Sequence, residues 1–225
     1  MRRLFLLLWL PLALFAATTS QILSTDGKSA KIESVALPVG TSGIVVHSYD
    51  EAHRTIVARA ILVAPDTIRF ELFDALAQDS LPKPLTKPQK GDKVILGYLY
   101  ERALIIAPNL KTYQSIAAQA KEKLLHPDLF AAELAKRAHK MPDREDFKDF
   151  CNRYALAKLY IAQKSGTDVV DCYSFKKVGS LDVGASGKET KLPFYNRFRR
   201  IPGSLFDFFG SDEVNYYDYY KKLER

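Results

Sequence analysis

Along this chain apolar residues recur at every second position up to about residue 107, and every three to four positions beyond it. That single change of period limits the fold more than any other feature, because alternation belongs to a two-faced strand and the longer period to one stripe of a helix. Residues 67–73 (TIRFELF) set Ile68, Phe70 and Leu72 against Arg69 and Glu71. Residues 43–49 (GIVVHSY), 54–63 (RTIVARAILV) and 93–98 (KVILGY) read the same way. Residues 102–107 (RALIIA) are expected to pair back on 93–98 across a turn near Tyr100 and Glu101. Residues 81–91 hold Pro82, Pro84 and Pro88, which excludes a central strand. Five or six short antiparallel strands between Ala30 and Ala107 predict a small barrel or curled sheet.

After residue 107 the helical period begins. Asn109 is a cap for a helix running to about Lys123, and His126-Pro127-Asp128 starts another that continues to Ala138. Asp143 begins a third, with Asp146 at the positive end of its dipole and Phe147, Phe150, Cys151 and Tyr154 on one apolar face. Residues 156–162 (LAKLYIA) and 168–175 (DVVDCYSF) flank Lys164-Ser165-Gly166-Thr167 as a hairpin. The fold class read from these patterns is α+β, a small antiparallel barrel or curled sheet followed by a helix-rich part packed on a β-hairpin. Cys151 on the helix and Cys172 on the strand are candidates for a disulfide, worth roughly 3 kcal/mol in the loop-entropy account, with two buried thiols as the alternative.

Both ends have a distinct character. Arg2 and Arg3, the uncharged run at 4–15 (LFLLLWLPLALF) and the small residues from Ala16 to Ser20 have the order of a secretory leader, with a cut expected between residues 16 and 20. A twelve-residue run broken by Pro11 is too short for a bilayer core that needs about 20 apolar residues. From Val178 glycines interrupt any period, and ten aromatic residues fall between Phe194 and Tyr220 beside Arg197, Arg199 and Arg200. Such a tail docks on its own domain, binds a partner, or makes peripheral contact with a membrane surface. The expected organisation is a leader at 1–20, a β-rich module at 21–107, an α+β module at 108–178 and an aromatic, basic tail at 179–225.

Charge and motifs narrow the function. The 33 basic and 26 acidic side chains give +7, spread along the chain, which is no nucleic-acid footprint. His47, His53, His126 and His139 show no metal-ligand spacing. The serines lack a nucleophile-elbow context, and Gly184-Ala185-Ser186-Gly187-Lys188 lacks the spacing of a phosphate-binding loop. Asp143, Glu145 and Asp146 are explained by the helix dipole. The expectation is a non-enzymatic protein without cofactor or metal.

Residues 42–50 (SGIVVHSYD), 70–84 (FELFDALAQDSLPKP), 90–109 (KGDKVILGYLYERALIIAPN), 126–134 (HPDLFAAEL), 146–162 (DFKDFCNRYALAKLYIA) and 170–175 (VDCYSF) resemble, in order, the N-terminal domain of the bacterial plasminogen-binding protein A family. The resemblance implies an envelope or surface-exposed binding protein that captures host plasminogen. Capture in that family is associated with a C-terminal lysine. Kringle pockets recognise an ammonium on an apolar stem, with a carboxylate at a matching distance. The implied partner-binding residues are therefore Lys221, Lys222 and Arg225, with Lys222 and Glu224 imitating the zwitterion from an internal position. Arg225 is the poorer mimic, its guanidinium being planar where an ammonium is compact. The expected location is the periplasm or the cell surface. The alternative reading is a periplasmic scaffold or accessory subunit of an envelope machine such as the flagellar motor.

Overall fold

A computed structural model describes residues 17–75, 85–187, 189–199, 201 and 215–224. Six strands come first: β1 (Thr18–Thr25), β2 (Ser29–Ile32), β3 (Ser42–Ser48), β4 (Arg54–Ala64), β5 (Thr67–Glu71) and β6 (Lys93–Leu96). They pair antiparallel in the order β1-β2-β5-β4-β3-β6, and β6 returns to β1 to close a barrel. The interior is filled by the inward half of each alternation, including Ile22, Ile32, Val45, Leu62, Ile68 and Val94. Gly43 lets β3 lie close to β6, since a Cβ there would run into the Ile95 carbonyl.

Two expectations are corrected here. Residues 18–20, assigned above to the leader, are barrel strand, with Thr18, Thr19 and Ser20 opposite Leu96, Ile95 and Val94. The polar text TTSQILST hides this strand, which is held by a neighbour on each side rather than by its own apolar content. Nor does RALIIA pair with β6, because β1 and β3 occupy both edges of β6. Gly97 and Leu99, both at positive φ, turn the chain out of the barrel instead.

The second half contains β7 (Arg102–Ile106), α1 (Leu110–Ala117), β8 (Lys123–Leu125), α2 (Pro127–Lys136), α3 (Arg144–Tyr154), β9 (Lys158–Ala162), β10 (Thr167–Asp171), β11 (Lys177–Leu181) and α4 (Tyr216–Leu223). Its sheet runs β11-β10-β9-β7-β8, with β7 parallel to both β8 and β9 and the β9-β10-β11 portion antiparallel. Alternate residues of β7 serve two cores. Leu104 and Ile106 join Phe130, Phe147, Phe150 and Tyr216 on one face, while Ala103 and Ile105 join Ile116, Tyr160 and Val169 on the other. A strand buried on both faces reads as a continuous apolar run.

Caps set the helix bounds. The Asn109 side chain accepts from Thr112 N–H, but α1 ends at Ala117 rather than near Lys123, and residues 123–125 join the sheet. His126 caps α2 ahead of Pro127. Asp143 and Asp146 form a reciprocal capping box on α3, which ends where Ala155 turns left-handed at φ 51°. Cys151 and Cys172 are joined by a disulfide with Cα atoms 6.6 Å apart.

The chain does not loosen at Val178 as the glycines suggest, because residues 177–181 form β11. Phe194 then stacks on Phe130 with ring centroids 5.4 Å apart, and α4 buries Tyr216 and Tyr220. Of the expected aromatic tail, residues 206–209 lie outside the described residues.

Two buried charges fasten the barrel to the second half. The Asp171 carboxylate accepts from Ser42 N–H (3.0 Å), Ser42 Oγ–H (2.5 Å) and Tyr100 O–H (2.7 Å), and also from Tyr173 and Ser174 N–H. The Arg59 guanidinium of β4 lies 3.5 Å from the Tyr173 ring centroid and donates to Asn152 Oδ1 on α3.

Candidate functional site

The expected partner-binding residues lie on or beside α4. Asn215 caps this helix by accepting from the N–H groups of Tyr217 and Asp218. Its tyrosines then divide by helical spacing. Tyr216 O–H donates to Ile106 O at 2.9 Å, Tyr220 O–H to Pro193 O at 2.9 Å, and Tyr219 O–H to Pro142 O at 2.8 Å. Arg144 Nε–H adds a bond to Leu223 O at 2.7 Å. The aromatic run thus anchors the helix to its own domain, and Lys221 and Lys222 are left exposed on the outer side. Arg225 lies outside the described residues.

Beside Lys221 is a polar cavity of about 600 Å³ between α4 and the β10-β11 edge, whose walls include Asp168, Lys177, Tyr217 and Glu224. Lys177 pairs with Asp168, and Gln163 Nε2–H donates to Glu224 Oε1 at 3.2 Å. Burial first, and then the charge of the nearby Asp168, pushes the Glu224 carboxyl up to about 7. Two acids share this wall, and one holds its proton near neutrality.

A second cavity, of about 220 Å³, lies between the barrel and the second sheet. Leu37, Pro38 and Leu96 line it from the barrel side and Val169, Val178 and Leu181 from the sheet. At its polar end Glu122 accepts from Lys158 Nζ–H at 2.6 Å and from Tyr160 O–H at 2.5 Å. Burial opposes charge on Glu122, but these two donors outweigh it and hold the carboxyl below its usual value. Burial and the adjacent Glu122 raise the Tyr160 phenol far above its own, so it remains a proton donor. Tyr100, beside the Lys158 ammonium at 5.0 Å, is raised likewise by burial and by Asp171. This arrangement is an apolar slot with a neutralised ion pair at one end.

Other titratable groups have structural work. His139 Nδ1 lies 2.7 Å from Asp146 Oδ2, and His139, Asp143 and Asp146 bring ligand-type atoms within 4.8 Å of one another. The capping box uses both carboxylates, and Arg137 also pairs with Asp146 at 3.3 Å, so these acids already have partners within the fold. His47 pairs with Asp92 at 2.7 Å and His53 with Asp50 at 2.8 Å. Arg197 of the basic cluster is held by Asp128 at 2.5 Å.

Sequence reasoning located the exposed lysines but missed Glu122, Lys158, Asp168 and Asp171. One signal was present: Lys158 and Asp171 stand inside otherwise apolar strand text, where a charge must find a partner.

The family profile described as plasminogen-binding protein pgbA N-terminal matches residues 17–223. The chain belongs to this family. Among curated members, the plasminogen-binding protein PgbA of Helicobacter pylori strain J99 is 29% identical over 196 residues, and that of strain 26695 is 29% identical over the same length. The alignment covers 83% of this chain and 42% of each relative, so the chain spans about two fifths of the length of the PgbA proteins it matches. No solved structure matches the chain. The profile opens at residue 17, just before β1, and closes at the last residue of α4. The PgbA N-terminal unit therefore comprises both the barrel and the second sheet with its covering helices.

Proposed function

We propose that the chain is an exported, non-catalytic protein-binding module of the bacterial envelope that captures plasminogen through the lysines of α4. The observation carrying this reading is the display of Lys221 and Lys222 on a helix fastened by the buried Tyr216 and Tyr220, in a chain whose curated relatives are named for plasminogen binding. An ammonium on an apolar stem at the protein surface is the feature that a lysine-binding pocket reads. A fixed helix presents it with less ordering cost than a free terminus.

Export is supported by the leader-like first residues and by the Cys151–Cys172 bridge, which persists in an oxidising compartment. The position of β1 sharpens the cut, since cleavage after Ala16 or Ala17 keeps the whole strand while cleavage nearer Ser20 removes its first pairs with β6. No helix among the described residues is long and apolar enough to cross a membrane.

The test is binding of immobilised plasminogen to the purified chain, with a lysine analogue as competitor. The Lys221→Gln/Lys222→Gln pair should reduce binding at least tenfold, and the competitor should abolish it. Binding that survives both changes overturns the lysine mechanism. A second reading, a scaffold or accessory subunit of an envelope machine, draws on the unpaired edge of β11. It predicts protection from protease on intact cells, whereas a surface receptor is digested.

A further inference from the structure

Among the described residues no strand pairs with the outer side of β11, so the second sheet ends on the exposed backbone of residues 177–181. Such an edge offers a row of unused N–H and C=O groups to any extended segment. What distinguishes this one is a cavity on each face. Gly179 opposes Val169 on the face of the apolar slot, and Ser180 opposes Asp168 on the face of the polar cavity. Ser180 and Leu181 line both. Gly179, at the middle of the strand, leaves the backbone open to close approach, as glycine does where another chain passes.

Successive side chains of an added strand point to opposite faces. One would enter the apolar slot and its neighbour the polar cavity. The slot takes an aliphatic group. The polar cavity has four acid side chains (Asp168, Asp182, Asp218 and Glu224) beside three lysines, so a cation entering it meets acceptors on several sides. Asp168 and Glu224 both line this cavity, so a basic side chain placed there has two acid groups to meet.

We propose that the outer edge of β11 is a strand-addition site for an extended segment of a partner protein in which an aliphatic residue adjoins a lysine or arginine. Main-chain hydrogen bonds supply affinity, and the two cavities select the side chains. The site goes beyond the α4 lysine reading, because here the protein receives a basic side chain rather than offering one.

The test uses the purified chain and a labelled seven-residue peptide alternating valine and lysine, followed by fluorescence anisotropy and by amide hydrogen exchange across residues 177–182. Binding should slow exchange at β11. Replacing lysine by glutamate in the peptide should weaken binding at least tenfold, and methylating alternate peptide amides should abolish it. In the protein, Ser180→Lys should weaken binding at least tenfold, as should Asp168→Asn in a variant whose melting is unchanged, while Lys222→Gln leaves it intact. The proposal is overturned by equal binding of the N-methylated peptide, by binding that leaves β11 exchange unchanged, or by no binding of either peptide. It is equally overturned if exchange at 177–182 slows with protein concentration alone, which would make a second copy the occupant. Loss of plasminogen capture in the Lys222→Gln protein with retained peptide binding, or the reverse in Ser180→Lys, separates the two sites.

Discussion

At the residue scale, Asp171 has the widest consequences. Its carboxylate receives hydrogen bonds from the barrel, from the connector after β6 and from the turn after β10, all inside the protein. Replacing it with alanine strands several buried donors at once, each expensive to leave unpaired. We expect Asp171→Ala to lower stability by at least about 3 kcal/mol, roughly 6–12 °C in melting temperature for a chain of this size. Calorimetry checks the loss, and faster exchange at Ser42 and Tyr100 would locate it at the joint. Asp171→Asn should cost less, since one amide oxygen still accepts. The sequence shows a charge within apolar strand text at Val170-Asp171-Cys172, but its partners are named only once the barrel is placed against it. The cysteines are a different case: the sequence leaves a disulfide and two buried thiols both open, and the fold joins them. Cys151→Ser/Cys172→Ser should cost about 3 kcal/mol by the loop-entropy account, and the same loss should follow in the wild type under reductant.

At the element scale, α4 carries a pH prediction. Glu224 binds its proton more tightly in the fold, at about 7, than the ordinary carboxyl value of 4.5. Between those values the folded state holds a proton that the unfolded state has released, so stability must fall as pH rises through the window and level off above it. Paired acids such as Glu122, with lowered values, act in the opposite direction and only below about 4.5. Melting followed from pH 5 to pH 8 should therefore decline, and Glu224→Gln should flatten that decline. The same scale shows why some elements were legible and others were not. Strand β5 alternates because Ile68 meets the barrel interior and Arg69 meets water, whereas β3 and β4 are buried on both faces over residues 42–45 and 58–62. The run RALIIA does not alternate, and that continuous apolarity marks a strand covered on both faces rather than a barrel wall. The text of β8 falls between two predicted helices, the first running to about Lys123, because a three-residue strand carries no period. The anchoring role of the YYDYY run turned on which phenols reach carbonyls, and only the packed structure shows that.

At the scale of the whole molecule, the two halves are joined on two sides, through Asp171 and through Arg59 with Tyr173 and Asn152. A connector held this way should resist cutting, so limited proteolysis of the native chain should spare residues 97–101 and begin cleaving there in the Asp171→Ala variant. For the exported form, intact-mass measurement of the protein recovered outside the cytoplasm should give a first residue of Ala17 or Thr18. A first residue beyond Thr18 would mean that the barrel forms without part of β1.

The seam between β1 and β6 governs the order of assembly. Thr18 stands opposite Leu96, so the first residue of β1 waits for the last residue of β6. A polypeptide delivered N-terminus first, whether from the ribosome or through a channel, therefore completes β3, β4 and β5 before the ring can be zipped. During that interval Val45, Leu62 and Ile68 face solvent from an open sheet with two raw margins. Any helper that chaperones this chain has its window then, and a leader still attached ahead of Thr18 would hold the first margin away from its mate.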